Sequence, residues 1–141
     1  MNQDERARGK RLVRIVAVMM AIYALIEITD CITLVLMQSG VIANPYPQMA
    51  FAQFDALFSS QPLTMLPVFL FFASLRGLSA LGLFRERMWG FWTTALVCVT
   101  TLLWMPFLMP TSGIFPAEML MDGAILFLLL VGRFGSQLIY G

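Results

Sequence analysis

Histidine is absent from this 141-residue chain, and cysteine occurs only twice. The lack of histidine excludes imidazole ligation of haem, histidine-based zinc sites, Ser-His or Cys-His catalysis and imidazole pH sensing. Cys31 and Cys98 form no CxxC pattern and therefore indicate no redox or metal motif. We predict two packed free thiols and no disulfide, because their depths in the helices predicted below differ by about 9 Å at 1.5 Å per residue.

Motifs of the common catalytic and nucleotide-binding classes are missing as well. The chain has no Walker loop, no glycine-rich dinucleotide fingerprint, no GxSxG elbow and no metal-binding motif. Its net charge of +1 gives no reason to expect a nucleic-acid partner. We therefore predict no catalytic residue, no metal and no cofactor. A non-enzymatic role is favoured, and enzymatic activity stays open.

Charged residues are scarce, at 12% of the chain, whereas apolar residues make up 60% and the mean hydropathy is +0.82. A soluble domain is closer to half apolar and a quarter charged. The composition predicts an all-α integral membrane protein, with residues 1–141 in a single polytopic membrane domain.

Four apolar stretches are long enough to cross a bilayer, which takes about 17 to 25 helical residues. They predict transmembrane helices at about 12–37, 63–84, 88–109 and 115–131. Because the connections between them are short, we expect an up-down-up-down four-helix bundle.

The first outer loop contains a shorter periodic segment at about 48–60. Its apolar residues recur at helical spacing, namely Phe51, Phe54, Leu57 and Phe58. The segment is too short and too polar to cross a bilayer, so it predicts a short helix lying in the membrane interface. The alternative is a cap that packs over the end of the bundle.

The basic residues predict the orientation of the bundle. Eight of the nine lie on the side shared by both termini and the middle hairpin, namely Arg6, Arg8, Lys10, Arg11, Arg14, Arg85, Arg87 and Arg133. The ninth, Arg76, lies inside the second span. The excess of positive charge on one side predicts an inner (plasma) membrane protein with both termini in the cytoplasm.

Five ionisable side chains interrupt the spans: Glu27, Asp30, Arg76, Glu118 and Asp122. Each costs about 2.5 to 3.5 kcal/mol near a helix centre on insertion scales, so we expect them to face the bundle interior. Helical rise predicts two levels, with Glu27, Arg76 and Asp122 near mid-membrane and Asp30 with Glu118 nearer the outside.

Neighbouring residues on the same helix faces extend this polar site. Tyr23 lies one turn from Glu27 on the first helix. Small residues beside Arg76, which would let a neighbouring helix approach the guanidinium, are Ala73, Gly77 and Ala80. A weakly polar stripe on the third helix consists of Thr94, Cys98 and Thr101. These residues complete the expected lining.

With four acids and one base, this site cannot be neutral if every acid is ionised. Burial favours the neutral carboxyl, whereas a nearby arginine favours the carboxylate. We hypothesise that one carboxylate pairs with Arg76 and that at least one other acid holds a proton. The alternative is a purely structural cluster. Glu118 in particular lies near a helix N-terminus, where an acidic side chain is stabilising.

Three functions remain open on this basis. The first is a non-enzymatic accessory or assembly subunit, or a lipid- or small-molecule-binding bundle, with the bilayer and a protein partner or second copy as its partners. The second is a small proton- or cation-coupled transporter or channel subunit. The third is a membrane sterol- or lipid-binding protein or an isomerase-like enzyme.

The third function comes from a resemblance to the emopamil-binding and sigma-2 receptor family. The similarity lies in four spans, acids in the first helix, an aromatic-rich first loop and the segment TTLLWMP at 100–106. It implies a buried carboxylate that pairs with the ammonium of a hydrophobic amine. The chain departs from the family by lacking the histidine of isomerase members and by having Ser74 or Arg76 where a second-helix acid is expected.

Overall fold

The computed structural model describes residues 3–46, 51–108 and 117–134. All regular elements in these ranges are helical, which confirms the predicted all-α class. The helices are α1 (Gln3–Gln38), α2 (Ala52–Ser60), α3 (Leu66–Phe84), α4 (Met88–Leu108) and α5 (Ala117–Phe134). A short 3-10 turn, Pro62–Met65, leads into α3.

The four long helices pack in a ring. Helix α1 contacts α3 and α5, and α4 contacts the same two helices from the other side. The buried core between them is apolar and draws on every long helix, through Val16, Met20, Leu83, Val97 and Leu129 among others. The ring brings the polar residues of four separate helices towards one interior.

The predicted and observed bounds differ by three residues at the start of α3 and at the end of α5, and by more at the start of α1. This helix begins at Gln3, so the basic segment before residue 12 continues the helix. Helix α2 falls within the predicted segment at 48–60, of which 48–50 lie outside the described residues. The predicted limits of the last two spans at 109 and 115–116 also lie outside them.

Within the described ranges, two helices, Arg6–Gln38 and Pro62–Phe84, are long and apolar enough to cross a membrane by length and composition. The apolar part of α4, Met88–Trp104, is shorter.

Helices α1 and α3 end in the same hydrogen-bonding pattern. In α1, Val41 N–H donates to the Leu36 carbonyl, and Gly40, with φ +74°, occupies the left-handed position. In α3, Arg87 N–H donates to the Gly82 carbonyl, and Glu86 occupies that position with φ +53°. The left-handed position of this Schellman motif is usually glycine. Glu86 therefore adopts a backbone conformation that is energetically unfavourable for a residue with a Cβ atom.

Helices α3 and α4 are in tight contact beside the turn that joins them. A Cβ atom on Gly82 would lie 2.5 Å from the Gly90 Cα atom, so only two glycines allow the backbones to touch. Gly77, by contrast, is exposed and would have nothing within 4 Å of an added Cβ atom. The prediction that Gly77 helps a helix approach Arg76 is therefore wrong, whereas Ala73 and Ala80 are buried.

Candidate functional site

The candidate site is centred on the guanidinium of Arg76, halfway along α3, whose residue is only 1% exposed. Its Nε donates to Glu27 Oε1 of α1 at 2.8 Å. Its Nη1 and Nη2 donate to the two carboxyl oxygens of Asp122 of α5, at 3.0 and 3.3 Å. The predicted meeting of Glu27, Arg76 and Asp122 is thus confirmed as a buried salt-bridge cluster. The fork of Arg76 engages Asp122 bidentately, which is the stronger of its two pairings.

Helix α4 and the ring of a tyrosine complete the surroundings of Arg76. Its Nη2 also donates to Thr101 Oγ1 at 3.0 Å, and the Thr101 hydroxyl donates to the Val97 carbonyl at 2.9 Å. The Arg76 Cζ atom lies 3.7 Å from the centroid of the Tyr23 ring, a cation–π contact. One guanidinium therefore touches side chains from all three of the other long helices.

Local helix geometry explains why these groups converge. Tyr23 and Glu27 are four residues apart, so both project from the face of α1 that packs on α3. Ala73 and Ala80 are buried one turn either side of Arg76 and leave room for the incoming side chains. Burial of charge is tolerated when each ion has a partner with good geometry, as Arg76 has here.

Two buried polar atoms of the cluster have no hydrogen-bond partner among the described residues. These atoms are Glu27 Oε2 and the Tyr23 hydroxyl oxygen, in residues only 7% and 5% exposed. The charges of the cluster do not balance either. One guanidinium faces two carboxyls, so one negative charge is in excess if both carboxyls are ionised. A proton or a small cation at Glu27 would balance the cluster.

The polar stripe of α4 lies beside the cluster. The side chains of Thr94 and Cys98 are fully buried, and the Cys98 thiol interacts electrostatically with Asp122. Thr94 Oγ1 donates to the Gly90 carbonyl at 2.6 Å. Cys31 and Cys98 are both buried free thiols, as the sequence predicts.

The outer pair of acids, Asp30 and Glu118, is arranged differently. Asp30 is half-buried and accepts a hydrogen bond from the Tyr46 hydroxyl at 3.1 Å, whereas Glu118 is exposed in the first turn of α5. The two carboxyls interact electrostatically, and no hydrogen bond joins them in the described part of the chain. Their functional pairing therefore stays a prediction.

Tyr46 is a site residue that the sequence analysis missed. Its ring packs edge-on against the buried Phe58 of α2 at 5.2 Å, and Phe58 packs on Phe69 of α3 at 6.1 Å. Burial, and then the nearby Asp30 carboxylate, raises the pKa of the Tyr46 hydroxyl, so Tyr46 stays a donor at neutral pH. The signal in the sequence is a tyrosine between two prolines in the loop that follows the helix of Asp30.

The described residues contain no group of three or more acidic, histidine or cysteine side chains placed to hold a metal ion. No protein-family model, no curated protein and no solved structure matches this chain.

Proposed function

We propose that this chain is a four-span protein of the inner membrane, with both termini in the cytoplasm, that serves as a non-enzymatic accessory subunit for another membrane protein. The first support is the exposure of its apolar helices. Only 39% of the apolar window in α1 and 33% of that in the second candidate helix is buried. The core helix of a soluble protein would be mostly buried, so this apolar surface suits contact with lipid.

The other long helices carry the same kind of surface. Helices α4 and α5, of 21 and 18 residues, are about 32 and 27 Å long at 1.5 Å per residue, close to the thickness of a bilayer core. Their outward side chains are large and apolar, for example Trp92, Leu96, Leu103, Leu120 and Phe127. This surface supports the proposal of four spans, and the orientation rests on the basic residues that the sequence predicts on one side.

The accessory role depends on one observation, the closed Arg76 cluster. Its strongest polar groups are occupied by one another and lie inside the helix ring, where they hold α1, α3, α4 and α5 together. A bundle whose polar groups are paired inside and whose outer surface is apolar has its helix faces available for a neighbouring membrane protein.

Native mass spectrometry after extraction in mild detergent tests this role. We expect a stoichiometric complex with another membrane protein, and resistance of the chain to carbonate extraction from membranes. A monomer that carries lipid alone would contradict the accessory role. Release by carbonate would contradict membrane insertion itself.

The second candidate is a proton- or cation-coupled transporter subunit, which the two unpartnered atoms at Glu27 and Tyr23 favour. Flux measured in proteoliposomes tests it. Under this candidate, Glu27→Gln abolishes the flux because it removes the ionisable carboxyl, while the exposed Glu118→Gln serves as the matched control and retains it. Wild-type protein without flux would eliminate the candidate.

A further inference from the structure

An open groove of about 540 Å³ runs along the outer face of α1 at its basic end. Lys10, Arg11 and Arg14 line one part of the groove, and Ile15, Val18 and Met19 line the other. We propose that this groove binds an anionic phospholipid, with the phosphate on the arginines and an acyl chain along the apolar part. The proposal goes beyond the accessory role and rests on the proposed membrane insertion.

The charge of the groove is available to a ligand. Arg11 and Arg14 are exposed and three residues apart, so they share one face of the helix. No acidic side chain of the described residues forms an ion pair with either of them. Lys10 is partly neutralised, because its Nζ atom lies 3.6 Å from Glu86 Oε2. The groove therefore offers two guanidinium groups that pair with no described acid and that match phosphate oxygens in shape and charge.

The depth of these residues matches the layers of a bilayer. If the cluster at Glu27 lies at mid-membrane, Arg14 and Arg11 lie about 20 and 24 Å below it at 1.5 Å per residue. The hydrocarbon core ends about 15 Å from the midplane, so both arginines fall in or just beyond the headgroup layer. Val18, about 13 Å from Glu27 by the same rise, falls inside the hydrocarbon. One groove thus spans the boundary where a lipid has its phosphate and the start of its chains.

Lipid retention in nanodiscs tests the proposal. The protein is reconstituted in phosphatidylcholine with an increasing fraction of phosphatidylglycerol, and native mass spectrometry counts the lipids of each kind that stay bound. We expect wild-type protein to retain phosphatidylglycerol preferentially. Arg11→Gln/Arg14→Gln should lower that preference on the order of tenfold, since each basic residue near the surface contributes to anionic-lipid binding.

The matched control is Arg85→Gln/Arg87→Gln. These arginines are exposed on the same side of the bundle and lie outside the groove. Their substitution changes the net charge by the same amount as the groove variant. We expect the control to keep the wild-type preference. Equal losses in both double variants, or no loss in the groove variant, would overturn the site.

Inorganic phosphate in the release buffer separates a lipid site from a general anion site. Phosphate cannot contact Ile15 and Val18, so we expect the bound phosphatidylglycerol to remain. Displacement by phosphate would overturn the lipid assignment.

Carbonate extraction keeps this proposal distinct from the proposed function. Inserted protein with no lipid preference overturns the groove alone, whereas extractable protein overturns membrane insertion and the groove together.

Discussion

Arginines in two regions of this bundle have opposite surroundings. Arg76 is enclosed by two carboxyls, a hydroxyl and an aromatic ring. Arg11 and Arg14, on the basic end of α1, are exposed and unpaired with any described acid. The guanidinium is the same in each case, and its partners decide whether it holds the helices together or stays available to a ligand. A buried charge is costly without its partners, and an exposed one is not.

Arg76→Leu should have the largest effect, because it removes the buried guanidinium. The substitution leaves Glu27 and Asp122 buried without a counter-charge, so we expect a loss of about 3 to 5 kcal/mol in the free energy of unfolding. Denaturant unfolding in detergent micelles measures it. Arg11→Leu is the matched control and should change the stability by about 0.5 kcal/mol or less.

A triple variant tests whether the loss comes from unpaired charge. Glu27→Leu/Arg76→Leu/Asp122→Leu removes the whole ion cluster and should recover most of the stability that Arg76→Leu loses. A triple variant as unstable as the single one would show that packing, and not charge pairing, carries the effect.

Substitutions of the two carboxyl partners of Arg76 should lower the stability by different amounts. Asp122→Asn disrupts the bidentate pairing, and we expect a cost of about 1.5 to 3 kcal/mol, as for hydrogen bonds to charged groups. Glu27→Gln leaves that pairing intact and removes the excess negative charge, so its cost should be about 1 kcal/mol or less. Thermal unfolding of the two variants side by side is the measurement. Equal costs would contradict the inference that the excess charge resides at Glu27.

Two substitutions of Tyr23 separate the contribution of its ring to stability from that of its hydroxyl. Tyr23→Phe keeps the ring against Arg76 and removes a buried hydroxyl without a described partner, so stability should be unchanged or about 1 kcal/mol higher. Tyr23→Leu also removes the cation–π contact, which is worth about 2 kcal/mol when desolvated. Unfolding midpoints compare the two. A large loss with Tyr23→Phe would indicate that the hydroxyl has a partner, such as a bound ion.

The smallest effect belongs to the half-exposed pair of Lys10 and Glu86. We expect Lys10→Gln to cost about 0.2 to 1 kcal/mol at low salt, because exposed ion pairs are screened by water. The difference from wild type should disappear as salt is raised. A loss that does not depend on salt would indicate that the Lys10 ion pair is shielded from water, like the pairs of Arg76.

Much of the cluster follows from spacing along single helices. Glu27 and Asp122 reach the level of Arg76 because each helix advances about 1.5 Å per residue. Tyr23 shares a face with Glu27 because a turn takes about four residues. Such regularities are local and hold wherever the helix packs.

Contacts across chain reversals were not predictable in the same way. The hydrogen bond from Tyr46 to Asp30 depends on how the loop after α1 folds back over that helix. The close approach of α3 and α4 occurs at Gly82 and Gly90, although Gly77 is nearer to Arg76 in the sequence. Small size alone does not say which glycine faces a neighbouring helix, because that depends on the rotation of each helix about its axis.

Composition and helical rise alone predict the helical class, the apolar surface and the convergence of charges near mid-helix. Three contacts become known only when the helices are packed together: Asp122 binds both ends of the Arg76 fork, Thr101 and Tyr23 complete its surroundings, and Asp30 pairs with a loop tyrosine. These contacts depend on distances of about 3 Å between atoms of separate segments. Helix packing sets those distances, and no single segment encodes it.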